Sequence, residues 1–253
     1  MKERYTHIGR SVAVGLAAIV MNVSCTFVSD KSTVSEYSQP LVLTQSQRAT
    51  QIQSIQMYPK LSVTAPPEYF EQAKKNLEEI LRFFIGDFGP PPLADIGEIR
   101  IKFDYKVLSN LEVRLPKDGS REVMLDPIFL NFHDYFIAHE YFHAFYQSDT
   151  MLDSCSITFL EGWATYAQYR YKNRNKTNQE IGDKLKADFG IQETTIKRIE
   201  NGSNIRYHGR LHEEQKDYIA AALILFKKPH NQNVSSYRAR LEGVNTKSCD
   251  IPN

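Results

Sequence analysis

The segment FIAHEYFHAFY, residues 136–146, carries His139, Glu140 and His143 in the order His-Glu-x-x-His. On a helix, residues four apart share a face, so His139 and His143 can offer both imidazoles to one metal ion. That spacing suits zinc, which takes imidazole nitrogens as ligands. Glu140 is offset by one residue, beside the metal rather than on it, where its carboxylate can take a proton from water. The surrounding aromatic and aliphatic residues would equally serve a buried helix whose histidines are core residues. Catalytic zinc sites hold three protein ligands and keep a fourth position open, so a third ligand has to decide between the two.

A candidate third ligand lies in FLEGWATYAQY, residues 159–169. Glu161 follows His143 by 18 residues, room enough for the chain to leave the first helix, turn, and return along a second. Phe159, Leu160, Trp163, Ala164, Ala167 and Gln168 give that second helix an apolar side, and Gly162 permits close approach. Taken alone, Glu161 is an acid near a helix start, where the helix dipole favours it.

HEYFH and EGWATY together resemble the gluzincin metallopeptidases. The second motif is especially similar to the aminopeptidase N family, whose segment reads Glu-Gly-Phe-Ala-x-Tyr. The likeness spans Phe136 to Tyr171. It implies one zinc ion, with His139, His143 and Glu161 as ligands and Glu140 as general base. The implied fold is α+β and zincin-like, with a thermolysin-type catalytic core. In such folds the strand before the active-site helix lines the cleft, which points to the REVMLD run, Arg121 to Asp126, as the binder of an extended substrate. Gluzincins commonly draw an oxyanion stabiliser from downstream. Tyr207, His208, His212 and Tyr218 are the candidates, and Tyr218 is preferred because it opens a strongly apolar helix, as a Tyr does in small zincin-like domains.

The chain departs from the family in two ways. It has no Gly-x-Met-Glu-Asn segment, so the acid that holds a free N-terminus in those aminopeptidases has no counterpart, and an endopeptidase is preferred. Thr165 stands where thermolysin-like enzymes place an Asp behind a ligand histidine. Asp134, Asp149 and Asp153 are alternative partners, and His133 falls out of phase with His139.

The elements that must position these residues are legible in outline. TAPPEYFEQAKKNLEEILRFFIG predicts a helix with Thr64 as N-cap, prolines in the first turn and Gly86 as stop. EIRIKFDYKV alternates like a strand. LEVRLPKDGSREVMLD reads as two short strands joined through Asp118-Gly119 in a hairpin. Helical patterns follow at about 130–147, 157–172, 177–189, 191–200, 211–228 and 234–242. The expected architecture is a small, mostly antiparallel sheet followed by a helical bundle that carries both motif helices.

The chain has 253 residues and a net charge of +1, from 31 basic and 30 acidic residues, which argues against a nucleic-acid partner. Lys2, Arg4 and Arg10 precede an apolar run from Val12 to Val23, the pattern of a signal peptide over 1–25. Cys25 after MNVS resembles a bacterial lipoprotein signal, although Asn22 replaces the usual Leu; ordinary cleavage near Ser24 or Cys25 is the alternative. Residues 26–59 read as a flexible tether and 60–253 as the metallopeptidase domain. The expected location is therefore exported, as a periplasmic or envelope lipoprotein or else secreted, with membrane contact only through the N-terminal anchor. Cys155 and Cys249 would remain in the folded part, either paired or as two buried free thiols. The expected partner is a peptide or protein substrate, with the oligomeric state open. From another class, a catalytically silent zincin-fold binding or scaffold module at the envelope is the alternative.

Overall fold

The computed structural model describes residues 61–91, 98–105, 112–114, 120–132, 134–147, 151, 155–203 and 211–241; at 112–114, 132, 211–213, 236 and 238–241 it describes the backbone alone. These residues form a mixed α/β unit, mostly helical, around one four-stranded sheet. None of its helices is long and apolar enough to cross a membrane. The proposed signal segment, the lipidation site and the tether lie outside the described residues.

Strand β1 (Leu61–Thr64) alternates, with Leu61 and Val63 buried. Pro66 and Pro67 then lead through a 3-10 turn into α1 (Phe70–Phe88). Proline suits this position because the first N–H groups of a helix have no partner within it. Ala73, Leu77, Ile80, Leu81, Phe84 and Phe88 recur at helical spacing and make one buried stripe. Two details differ from the sequence expectation: Thr64 ends a strand rather than capping the helix, and the helix runs through Gly86 to stop at Gly89, whose φ is 81°. A helical glycine costs about 1 kcal/mol relative to alanine. Carrying the helix on to Phe88 buries a phenylalanine, worth about 1.5–3 kcal/mol, so the extension wins.

Strand β2 (Ile99–Phe103) follows, then β3 (Glu112–Arg114) and β4 (Arg121–Leu125). The sheet order is β1-β2-β4-β3. Strands β1 and β2 are parallel, with Leu61 opposite Ile99, as are β2 and β4, with Ile101 opposite Val123. Only β3 and β4 are antiparallel, the pairing that the hairpin reading expects; its turn at Asp118-Gly119 lies outside the described residues. The expectation of a mostly antiparallel sheet is thus corrected to a mostly parallel one. The reason is connectivity: α1 serves as the crossover between β1 and β2, and a crossover returns the chain in the same direction. Strand β3, entered from β2 across the sheet, lies outermost and turns back into β4, which brings β4 parallel to β2.

The helices follow in close sequence: α2 (Ile128–Phe132), α3 (Asp134–Tyr146), α4 (Ile157–Lys172), α5 (Asn178–Asp188), α6 (Glu193–Glu200), α7 (Leu211–Phe226) and α8 (His230–Leu241). Asp126 Oδ1 accepts from the Ile128 N–H, Ser156 caps α4, and Thr177 with Glu180 forms a capping box on α5. Helix α4 is the centre of the bundle, packed on α3 at one side and on α7 at another. Both α3 and α4 are buried along almost their whole length. An aromatic cluster of Phe84, Phe88, Phe142, Tyr146, Trp163 and Tyr237 joins α1, α3, α4 and α8.

Candidate metal centre

Helix α3 contributes His139 and His143 one turn apart, and α4 contributes Glu161 from its first turns. The three side chains converge. His139 Nε2 lies 3.0 Å from His143 Nε2 and 3.1 Å from Glu161 Oε2, and His143 Nε2 lies 3.6 Å from the same oxygen. A tetrahedral zinc with bonds near 2.0–2.1 Å sets its ligand atoms about 3.3 Å apart. The observed triangle brackets that separation. Among the described residues this is the one group of His, Cys, Asp or Glu side chains that could hold a metal ion.

The outer nitrogens fix what the inner ones carry. His139 Nδ1 is 3.0 Å from Gln168 Oε1, and His143 Nδ1 is 2.7 Å from Gln147 Oε1. An amide oxygen only accepts, so each Nδ1 carries the hydrogen and each neutral ring presents a lone pair at Nε2. Two such lone pairs 3.0 Å apart, in a buried site, repel each other unless a cation or proton lies between them. Glu161 is fully buried, and none of the described residues donates a hydrogen bond to its Oε1. The donor set therefore fits a divalent cation.

The electrostatics point the same way. Burial disfavours the charged form of His143, yet the Glu161 carboxylate, together with Glu140 and Gln147, raises its pKa to about 9. Burial dominates at His139 and lowers it. Burial would raise Glu161, but the charge of His143, with His139 beside it, brings it down to about 2. Glu161 keeps its charge by drawing positive charge onto His143, a place that a bound cation would take instead of a proton.

Glu140 is fully buried on α3, near enough for its charge to act on His143. Tyr218 is buried on α7, the helix packed along α4. Tyr207, His208 and His133 lie outside the described residues, as do Asp149, Asp153 and the side chain of His212. Asp134 accepts from Tyr171 Oη at 3.1 Å rather than from a ligand histidine. Thr165 is buried one turn past Glu161, but the Nδ1 atoms take glutamine partners instead. Cys155 is disulfide-bonded; Cys25 and Cys249, the other two cysteines, lie outside the described residues.

The expectation that Arg121 to Asp126 binds an extended substrate is corrected. Strand β4 pairs with β2 along one edge and, from Glu122 to Met124, with β3 along the other, so its centre has no edge to offer. Among the described residues β3 is the outermost strand on that side of the sheet, and it also packs against α3.

Three residues escaped the sequence reading. Gln147 follows His143 by four residues and Gln168 follows Glu161 by seven, so helical spacing could have found both. Arg121 could not be found that way, because it reaches α3 from the sheet. Its guanidinium, 1% exposed, donates to the carbonyls of Ala144 at 2.7 Å and His143 at 3.3 Å. Tyr237 Oη donates to the carbonyl of Tyr146 at 2.9 Å. Carbonyls in the last turn of a helix lack partners within it, and a cation there complements the dipole. No protein-family model, curated protein or solved structure matches this chain.

Proposed function

We propose that the protein is a zinc-dependent peptidase of the gluzincin type that hydrolyses peptide bonds through an activated water. The observation that carries the reading is the convergence of His139 Nε2, His143 Nε2 and Glu161 Oε2, with both Nδ1 hydrogens committed to amides. A zinc ion held there supplies Lewis acidity toward water and a substrate carbonyl. Glu140 takes a proton from the attacking water and passes it to the leaving amine. Tyr218 is the candidate to donate its hydroxyl hydrogen to the developing oxyanion. The outer edge of β3 is the candidate to pair with an extended substrate backbone. In this reading the protein is exported and tethered through its N-terminal segment.

A specific observation favours a second reading, a metal-holding module without catalysis. Glu140 is 0% exposed and His139, the most open ligand, is 7% exposed. A substrate reaches such a centre only if the site opens. One experiment separates the two: incubation of the protein with a mixed peptide library, read by mass spectrometry, beside a zinc-binding measurement. Cleavage abolished by a chelator and by Glu140→Gln supports the peptidase. Zinc binding without any cleavage supports the module.

A further inference from the structure

Gln147 sits where two halves of the centre meet. It is fully buried, and its side chain spans from one ligand to the neighbour of another. Gln147 Nε2 donates to the carbonyl of Leu160 at 2.7 Å, and Leu160 immediately precedes Glu161. A carbonyl can only accept, so the amide nitrogen must face Leu160 and the amide oxygen must face His143 Nδ1, 2.7 Å away. The orientation of this amide is therefore settled by its surroundings. It places a hydrogen of His143 on Nδ1, so that the neutral ring has its lone pair on Nε2.

We propose that Gln147 is a positioning residue of this centre, which locks His143 in its metal-binding tautomer and registers α3 against the first turns of α4. The proposal rests on the metal-centre reading above and adds to it the residue that makes the two motifs one site. Gln168 stands behind His139, its Oε1 3.0 Å from Nδ1, so both histidines are backed by neutral amides. Hydrogen-bond partners of ligand histidines orient the ring, and their loss typically costs about 10–100-fold in metal affinity. A glutamine fulfils that role here while also donating across to the second helix, which a carboxylate cannot do.

The test is zinc affinity, measured by competition with a chromophoric chelator, alongside the melting temperature of the metal-free protein. Gln147→Met keeps the volume but neither hydrogen bond, and is expected to weaken zinc binding about 10–100-fold. Gln147→Glu keeps an acceptor for Nδ1 while losing the donor to Leu160. It is expected to bind zinc at least about tenfold tighter than Gln147→Met. Wild-type affinity in Gln147→Met overturns the proposal. A loss in Gln147→Glu as deep as in Gln147→Met overturns the tautomer lock. Should Gln147→Met fail to fold, Gln147→Glu decides alone, and a loss of about 100-fold there overturns the lock. A wild-type protein that binds no zinc overturns the metal reading itself, an outcome distinct from equal affinities in wild type and variants.

Discussion

The guanidinium of Arg121 donates to the carbonyl oxygen of Ala144 at 2.7 Å, joining the first residue of β4 to the last turn of the histidine-bearing helix. This bond ties the sheet to the element that holds two of the three candidate ligands. A buried carbonyl left without a donor costs about 1–3 kcal/mol, and Arg121 serves two. Arg121→Met, which keeps the stem and removes the donors, is expected to lower stability by about 2–4 kcal/mol. Urea denaturation of the metal-free protein measures it, and a midpoint equal to wild type at equal slope rules the role out.

Glu140 carries no ligand role in this geometry, so its amide variant should separate binding from turnover. Glu140→Gln is expected to keep its zinc while peptide cleavage falls by about 10²–10⁴-fold in kcat. Parallel zinc titration and steady-state kinetics decide the point. A variant that cleaves at the wild-type rate removes Glu140 from the reaction.

Zinc should stabilise the fold, because the three donors come together only when α3 and α4 are packed. At a free zinc concentration of 100 times Kd the gain is about 2.7 kcal/mol, visible as a rise in melting temperature that a chelator reverses. Glu161→Gln removes the one anionic ligand and is expected to erase most of that rise. An equal rise in the variant means that the ion binds elsewhere.

A second polar cluster governs behaviour in acid. Asp87 on α1 accepts from Arg170 on α4 at 3.1 and 3.3 Å, and His230 at the start of α8 lies 3.0 Å away. Burial would raise the Asp87 pKa, but the bonds to His230 and Arg170 outweigh it and bring the value below the usual 3.8. A carboxyl with a depressed folded-state pKa contributes stability that is present above its unfolded pKa and lost as pH falls through the folded value. Asp87→Asn is therefore expected to cost about 1–3 kcal/mol near neutral pH, with the gap to wild type closing below pH 3.8. Thermal melts across pH, with chelator present throughout, test this; a gap that widens in acid reverses the sign.

Two glycines at the end of α1 should respond in opposite directions. Gly86 lies within the helix with open space where a Cβ would stand, so Gly86→Ala is expected to stabilise by about 0.5–1 kcal/mol. Gly89 has φ 81°, which alanine adopts only with strain, so Gly89→Ala should destabilise by about 1–2 kcal/mol. Matched thermal melts decide. Destabilisation by Gly86→Ala would mean that the helix ends earlier.

The candidate ligands were legible in the chain because they depend on local periodicity. His139 and His143 share a face through helical spacing alone, and EGWATY announces a second helix with an acid near its start. The bundle helices and the hairpin of β3 with β4 were legible for the same reason. Gln147 and Gln168 were equally local and went unread, hidden by the expectation of a carboxylate at those nitrogens.

Local spacing along the chain set which residue types recur on each helical face. Tertiary structure alone decided the rest. A four-residue strand such as β1 has too little pattern to declare itself, and its parallel partner β2 begins only after the whole of α1 has intervened. Strand direction follows from how α1 crosses the sheet, and the enclosure of β4 follows from where β3 lands. Arg121 meets Ala144 for the same reason. These relations join residues distant in the chain through packing, and no local spacing encodes them.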